Sequence, residues 1–138
     1  MEFSTTIDIA APAERVWDIL TDVDNWTDWN TTIDKVEGEA VLGKKITVYA
    51  KVSPGRAFGL KVTTLDAPSR MVWTGGMPLG LFKGERTYGI TPNDNGGVTF
   101  SMREAFSGPL SGMVTKSIPD LNPSFAEFAA CLKKTAEG

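Results

Sequence analysis

The sequence predicts one α+β domain over residues 1–138: a curved, seven-stranded antiparallel sheet around a long C-terminal helix, with short helices after the first strand. Three observations carry this. Short runs of alternating apolar and polar residues follow one another through the middle of the chain, with brief Gly, Pro and Asn turns between them, as an antiparallel meander requires. One helix-period apolar stripe follows the first run, and a longer one closes the sequence. A chain of 138 residues makes one core rather than two, and its 41% hydrophobic content exceeds that of a disordered chain.

Taken in order, Glu2–Ile9 puts Phe3, Thr5, Ile7 and Ile9 on one face and Glu2, Ser4, Thr6 and Asp8 on the other, a half-buried strand. Ala10-Ala11-Pro12 breaks it, and Pro12 suits the first turn of a helix striped by Ala13, Val16, Trp17 and Leu20. The polar run Asp22–Thr32 reads as a short helix or an ordered loop. Strands are expected over Ile33–Glu37, Lys44–Val52, Phe58–Leu65 and Arg70–Thr74, with turns near Gly38, at Ser53-Pro54-Gly55 and at Ala67-Pro68-Ser69. Gly75–Leu81 reads as an apolar, glycine-rich loop. The longest strands, Phe82–Thr91 and Val98–Phe106, flank Pro92–Gly97, a strong hairpin signal. Gly108-Pro109 ends the sheet. A helix is expected from about Leu110 to Glu137, with Pro119 and Pro123 as points where it starts or kinks. Ile118, Leu121, Phe125, Phe128, Ala129 and Leu132 form its stripe, and Lys133 and Lys134 complement its dipole.

Composition narrows the chemistry. There is no histidine, which removes imidazole-activated nucleophiles, histidine-bound zinc and the facial iron triad. One cysteine excludes an internal disulfide and a multi-cysteine metal cluster. Asp22–Asp28 looks superficially like a calcium loop but lacks its glycine and its terminal glutamate, so no metal and no cofactor are expected. The net charge of −3 is interspersed, which argues against a nucleic-acid partner. No apolar stretch reaches the ~20 residues of a membrane span, and the first residues lack the pattern of a signal peptide, so a cytoplasmic location is expected.

The sequence resembles the SRPBCC, START-like or Bet v 1-like superfamily, and within it the polyketide cyclase/dehydrase and lipid-transport proteins. The resemblance covers essentially the whole chain. It rests on Ile7–Trp17 (IDIAAPAERVW), Trp26–Asn30 (WTDWN), Arg86–Pro92 (RTYGITP), Phe100–Gly108 (FSMREAFSG) and the amphipathic last helix. It implies a helix-grip fold enclosing a cavity, and a function among carriers, receptors, cyclases, hydrolases and co-chaperone-like proteins.

Alternation gives the wall of such a cavity: Ile46, Val48, Leu60, Val62, Trp73, Tyr88, Phe100, Met102 and Phe106, closed by Phe125 and Phe128. Trp29, like Trp26, either plugs one end of the core or lines the cavity. Aligning Pro92 with Val98 puts Arg86 opposite Glu104, close enough for an ion pair. That pair is either structural or in contact with ligand, and a shift of register would turn both side chains outward. If a reaction occurs, Glu104 is the candidate acid or base, with Arg86 beside it and Tyr88 as hydroxyl donor. The loops Ser53–Gly59 and Gly75–Leu81 either gate the mouth or pack against the helix. The leading expectation is a carrier or sensor of a small hydrophobic molecule (a lipid, polyketide-like compound or isoprenoid), monomeric or weakly dimeric. The alternatives are a cyclase, dehydratase or hydrolase using Glu104, Arg86 and Tyr88, and a co-chaperone-like interaction module.

Overall fold

The structure, a computed structural model, describes residues 1–138. It contains β1 (Glu2–Ile9), α1 (Ala13–Thr21), β2 (Ile33–Gly38), β3 (Lys45–Ala50), β4 (Phe58–Asp66), β5 (Arg70–Met77), β6 (Phe82–Pro92), β7 (Val98–Ser107), α2 (Ser111–Val114) and α3 (Asn122–Glu137). The seven strands form one antiparallel sheet in the order β1-β7-β6-β5-β4-β3-β2. Short turns make β2 through β7 a meander, and β1 joins the far side of β7. The helix-grip architecture expected from the sequence is the one that forms.

Local chemistry accounts for the elements. Pro12 caps α1, and its carbonyl accepts the amides of Arg15 and Val16. Residues Val23–Asp28 make a 3₁₀ turn, held by the Trp26 indole donating to the Leu20 carbonyl at 2.9 Å. The Asn93 side chain accepts the amides of Asn95 and Gly97 and closes the β6–β7 hairpin. The hairpin sets Pro92 against Val98 and Arg86 against Glu104, the alignment expected from the sequence.

α3 crosses the concave face of the sheet and buries Phe125, Phe128, Ala129, Leu132 and Ala136 in a cluster of 25 apolar residues. Its C-terminal end is clamped. Arg15 donates to the carbonyls of Ala136 and Thr135 at 2.6 and 3.2 Å, which satisfies the open end of the helix and its dipole. Lys133 donates to the Asp8 carbonyl at 2.8 Å, and the Glu137 carboxylate accepts the Ala10 amide at 2.8 Å. The Ala10 amide and Lys133 hold the Glu137 carboxyl below the usual range.

Three boundaries differ from expectation by more than one residue. The helix expected from Leu110 is two pieces, because Pro119 forces Ile118 into an extended conformation and Pro123 starts α3 afresh in its first turn. β3 stops at Ala50, and Lys51 and Val52 belong to the following turn. β5 runs on to Met77 because Gly75 and Gly76 pair with Gly84 and Lys83, so the first three residues of the expected Gly75–Leu81 loop are strand. No helix is long and apolar enough to cross a membrane.

Candidate functional site

The inner faces of β5, β6 and β7 are laid out in rows by their register. Met71, Tyr88 and Met102 form one row; Trp73, Arg86 and Glu104 the next; Gly75, Gly84 and Phe106 the third. The first row is filled with side chains. In the third, two neighbouring strands contribute only hydrogen. A cavity of about 360 Å³ opens there, between the sheet and the first half of α3.

Its wall comprises 29 residues, of which 17 are hydrophobic, so it suits an apolar guest with a few oriented polar contacts. Gly75 is needed for the close approach of β4, since a Cβ there would lie 2.7 Å from the Gly59 carbonyl oxygen. At Gly84 a Cβ would meet the edge of the Phe106 ring at 3.2 and 3.4 Å and Glu104 Oε1 at 3.8 Å, so what glycine provides at that position is space beside the ion pair.

The second row supplies the charges. Arg86 Nη2 lies 2.8 Å from Glu104 Oε2, with the two side chains 17% and 8% exposed. The guanidinium sits 5.2 Å above the Phe125 ring of α3, so the cation is held between a carboxylate and an aromatic face. Burial opposes its charge most strongly, but Glu104 and Tyr88 outweigh that and raise its pKa. Burial pushes the Tyr88 hydroxyl up to about 12, with Arg86 offsetting part of the shift, so the phenol is neutral at ordinary pH.

Of the residues expected at the ligand, Val48, Leu60, Arg86, Met102, Glu104, Phe125 and Phe128 line the cavity. Trp29, Val62, Trp73, Tyr88 and Phe100 lie off its lining. Trp73 stacks on Trp26 at 5.4 Å and meets the edge of Tyr88 at 5.0 Å; Phe100 stacks on Phe128 at 6.1 Å. Together they fill the end of the grip beyond the ion pair. Trp29 is half-buried against Trp26 and Phe128. Of the expected Ser53–Gly59 loop, Phe58 and Gly59 open β4; Arg56 and Phe58 stand at the mouth, with Met77, Val114 and Ile118 also on its lining. Leu79 stands off the lining, 95% exposed and in a left-handed conformation (φ 62°).

Asn30 escapes the sequence reading. It lies outside any periodic run, where nothing distinguishes an inward amide from a loop residue. In the structure it is 2% exposed and lines the cavity, with Oδ1 accepting both the amide and the hydroxyl of Thr32. Four buried side-chain atoms have no hydrogen-bond partner in the protein: Asn30 Nδ2, Trp73 Nε1, Arg86 Nε and the Tyr88 hydroxyl.

The fold recurs in solved structures. A hypothetical protein from Helicobacter pylori superposes with a TM-score of 0.79 at 14% identity, covering 99% of this chain and 88% of that one. The Zhui aromatase/cyclase from Streptomyces sp. R1128 gives 0.76 at 16%, covering 99% and 93%. The Aha1 dimer from Colwellia psychrerythraea gives 0.74 at 21%, covering 99% and 96%. Likeness at these identities is a likeness of fold. No curated protein matches the sequence. The model of the family described as polyketide cyclase / dehydrase and lipid transport matches residues 1–137, and with the helix-grip fold and its cavity in place, the chain belongs to that family.

Proposed function

We propose that the protein binds a compact hydrophobic molecule in the cavity under α3 and acts as its carrier or sensor, as a cytoplasmic monomer or weak dimer. One observation carries this reading: the cavity wall is mainly apolar, and its only charged side chains are Arg56 at the mouth and the mutually neutralising Arg86–Glu104 pair. At about 360 Å³ the cavity lies toward the lower end of the ~300–1,000 Å³ range of small-molecule sites. That size favours a polyketide-like ring system or short isoprenoid over a two-chain lipid. Native mass spectrometry of gently purified protein tests the reading, together with titration of a naphthalene-based fluorescent probe. A co-purified molecule or saturable probe binding is expected; a bare chain that binds no probe rules the reading out.

A cyclase- or dehydratase-type enzyme is the second reading, favoured by the adjacency of Arg86, Glu104 and Tyr88 on neighbouring rows. An aromatase/cyclase among the structural neighbours supports it. Against it, Tyr88 does not ionise near neutrality and Glu104 is engaged by Arg86. Glu104→Gln abolishes turnover on this reading while the protein stays folded; full activity in that variant removes the proposal.

A further inference from the structure

Nine large apolar side chains stand exposed on the protein, and six of them are gathered at one end. Val52, Phe58 and Met77 line the cavity mouth; Leu79 and Leu81 fall between the lining residues Met77 and Phe82, and Met113 precedes Val114. Of the other three, Met1 precedes β1, and Val41 and Leu42 belong to the β2–β3 turn at the far end of the sheet. Leu79 is the extreme case. It is 95% exposed and left-handed, so neither packing nor backbone geometry favours leucine where glycine or asparagine would be at ease. Exposed apolar groups gathered in this way mark a surface that something covers.

Charge identifies what covers it. The charges are interspersed in sequence, but the fold sorts them. The stretches that surround the mouth, residues 51–58, 77–83 and 107–118, carry Lys51, Arg56, Lys83 and Lys116 and not one carboxylate. Against a chain total of −3, these four cations leave −7 for everything else. Lys83 pairs with Glu85 at 3.3 Å, whereas Lys51, Arg56 and Lys116 make no salt bridge. Arg56 and Lys116 flank one shallow groove beside the mouth.

We propose that this end of the domain docks on an anionic lipid bilayer, with Leu79 and its apolar neighbours sunk into the headgroup–acyl boundary and Lys51, Arg56 and Lys116 against the anionic headgroups. A bilayer fits better than a protein partner. The apolar tips stand around an opening instead of forming a continuous packed floor, and tips that sink into a fluid interface need no floor. The same membrane repels the acidic remainder of the chain, which turns the mouth toward the lipid. Docking depends on no particular guest in the cavity, so its failure leaves the ligand reading untouched.

Co-sedimentation with vesicles of phosphatidylcholine alone, and of phosphatidylcholine with about one-third phosphatidylserine, tests this. Binding to the anionic vesicles is expected to be at least about tenfold tighter than to the neutral ones, and to weaken as salt is raised. Leu79→Asn is expected to cut it about tenfold or more, because the leucine side chain no longer leaves water. The same change suits the left-handed backbone, so the urea midpoint should hold or rise, which separates lost docking from lost folding. Lys51→Glu with Lys116→Glu should erase the preference for anionic vesicles, while Leu42→Asn at the far end leaves docking as it was. No vesicle binding overturns the proposal, as does equal binding to the two compositions, binding that survives Leu79→Asn, or an equal loss in Leu42→Asn. A dimer that Leu79→Asn dissolves, in protein that ignores vesicles, assigns the surface to a second copy and overturns it too. So does capture of an acidic protein partner without vesicle binding.

Discussion

The two ends of the sheet's inner face use the same alternation to opposite effect. At one end Met71, Tyr88 and Met102 stand side by side, and Tyr88 meets Trp26, Trp73, Phe100 and Phe128 in an aromatic cluster. Two rows along, Gly75 and Gly84 occupy the equivalent inward positions on β5 and β6, and the helix has nothing to rest on. The difference teaches that curvature alone does not hollow this molecule. Subtraction of side chains at chosen rows does, and the ion pair marks the boundary between the packed end and the hollow one.

If that division is right, substitutions should separate stability from binding. The largest expected effect is at the packed end. Trp73→Ala removes a side chain with no exposed surface and should cost about 3–5 kcal/mol in urea unfolding. A loss under about 1 kcal/mol would break the comparison.

At the boundary, Glu104→Ala strands the Arg86 guanidinium and should cost about 3 kcal/mol. The double variant Arg86→Met, Glu104→Ala should cost less than Glu104→Ala alone. Additive losses in the double-mutant cycle would mean that the pair does not act as a unit.

The Tyr88 hydroxyl sharpens the boundary further. Burial raises its pKa from 10 to about 12, so between those values the unfolded chain gives up its proton first. Stability is therefore fully present below pH 10 and falls, by on the order of 2 kcal/mol, as pH rises toward 12. Tyr88→Phe should flatten that alkaline limb. At neutral pH it should cost little, because the hydroxyl has no partner to lose. Unfolding curves collected at about pH 8 and pH 11 check both statements.

The smallest effect on stability is expected at the hollow end. Gly84→Leu should change unfolding free energy by no more than about 1 kcal/mol, since strand glycines are poor residues and the Phe106 ring has to give by only a few tenths of an ångström before the new side chain enters the cavity. The same change should cut probe affinity at least about tenfold, read by fluorescence titration. Undiminished binding would place the guest elsewhere.

Much of this was legible in the sequence. The β6–β7 register could be read because Pro92–Gly97 pins the hairpin and alternation then counts outward to Arg86 and Glu104. The direction of Trp73 and Tyr88 was equally readable. Whether an inward side chain meets space or another side chain was not, because that depends on a row running across three strands, and each strand carries only its own alternation. Gly75 and Gly76 gave no alternation to follow, so the end of β5 read as loop. The break before α3 had its proline signal, but the apolar stripe ran on through Ile118 and Leu121 and suggested continuity. Asn30 carried no pattern at all, and its importance comes only from what surrounds it.

The clamp on α3 has a mechanical consequence. Arg15, Lys133 and Glu137 tie the far end of the helix to α1, to the end of β1 and to Ala10 just beyond it, whereas the near end has one such tie, Asn122 Oδ1 accepting the Ser4 amide. No hydrogen bond from residues 112–121 reaches the sheet; the segment bonds only to itself and its flanks. The domain is thus built like a drawer with a fixed back and a loose front. Displacing the stretch around Ile118 uncovers the hollow end without disturbing a single contact of the latch.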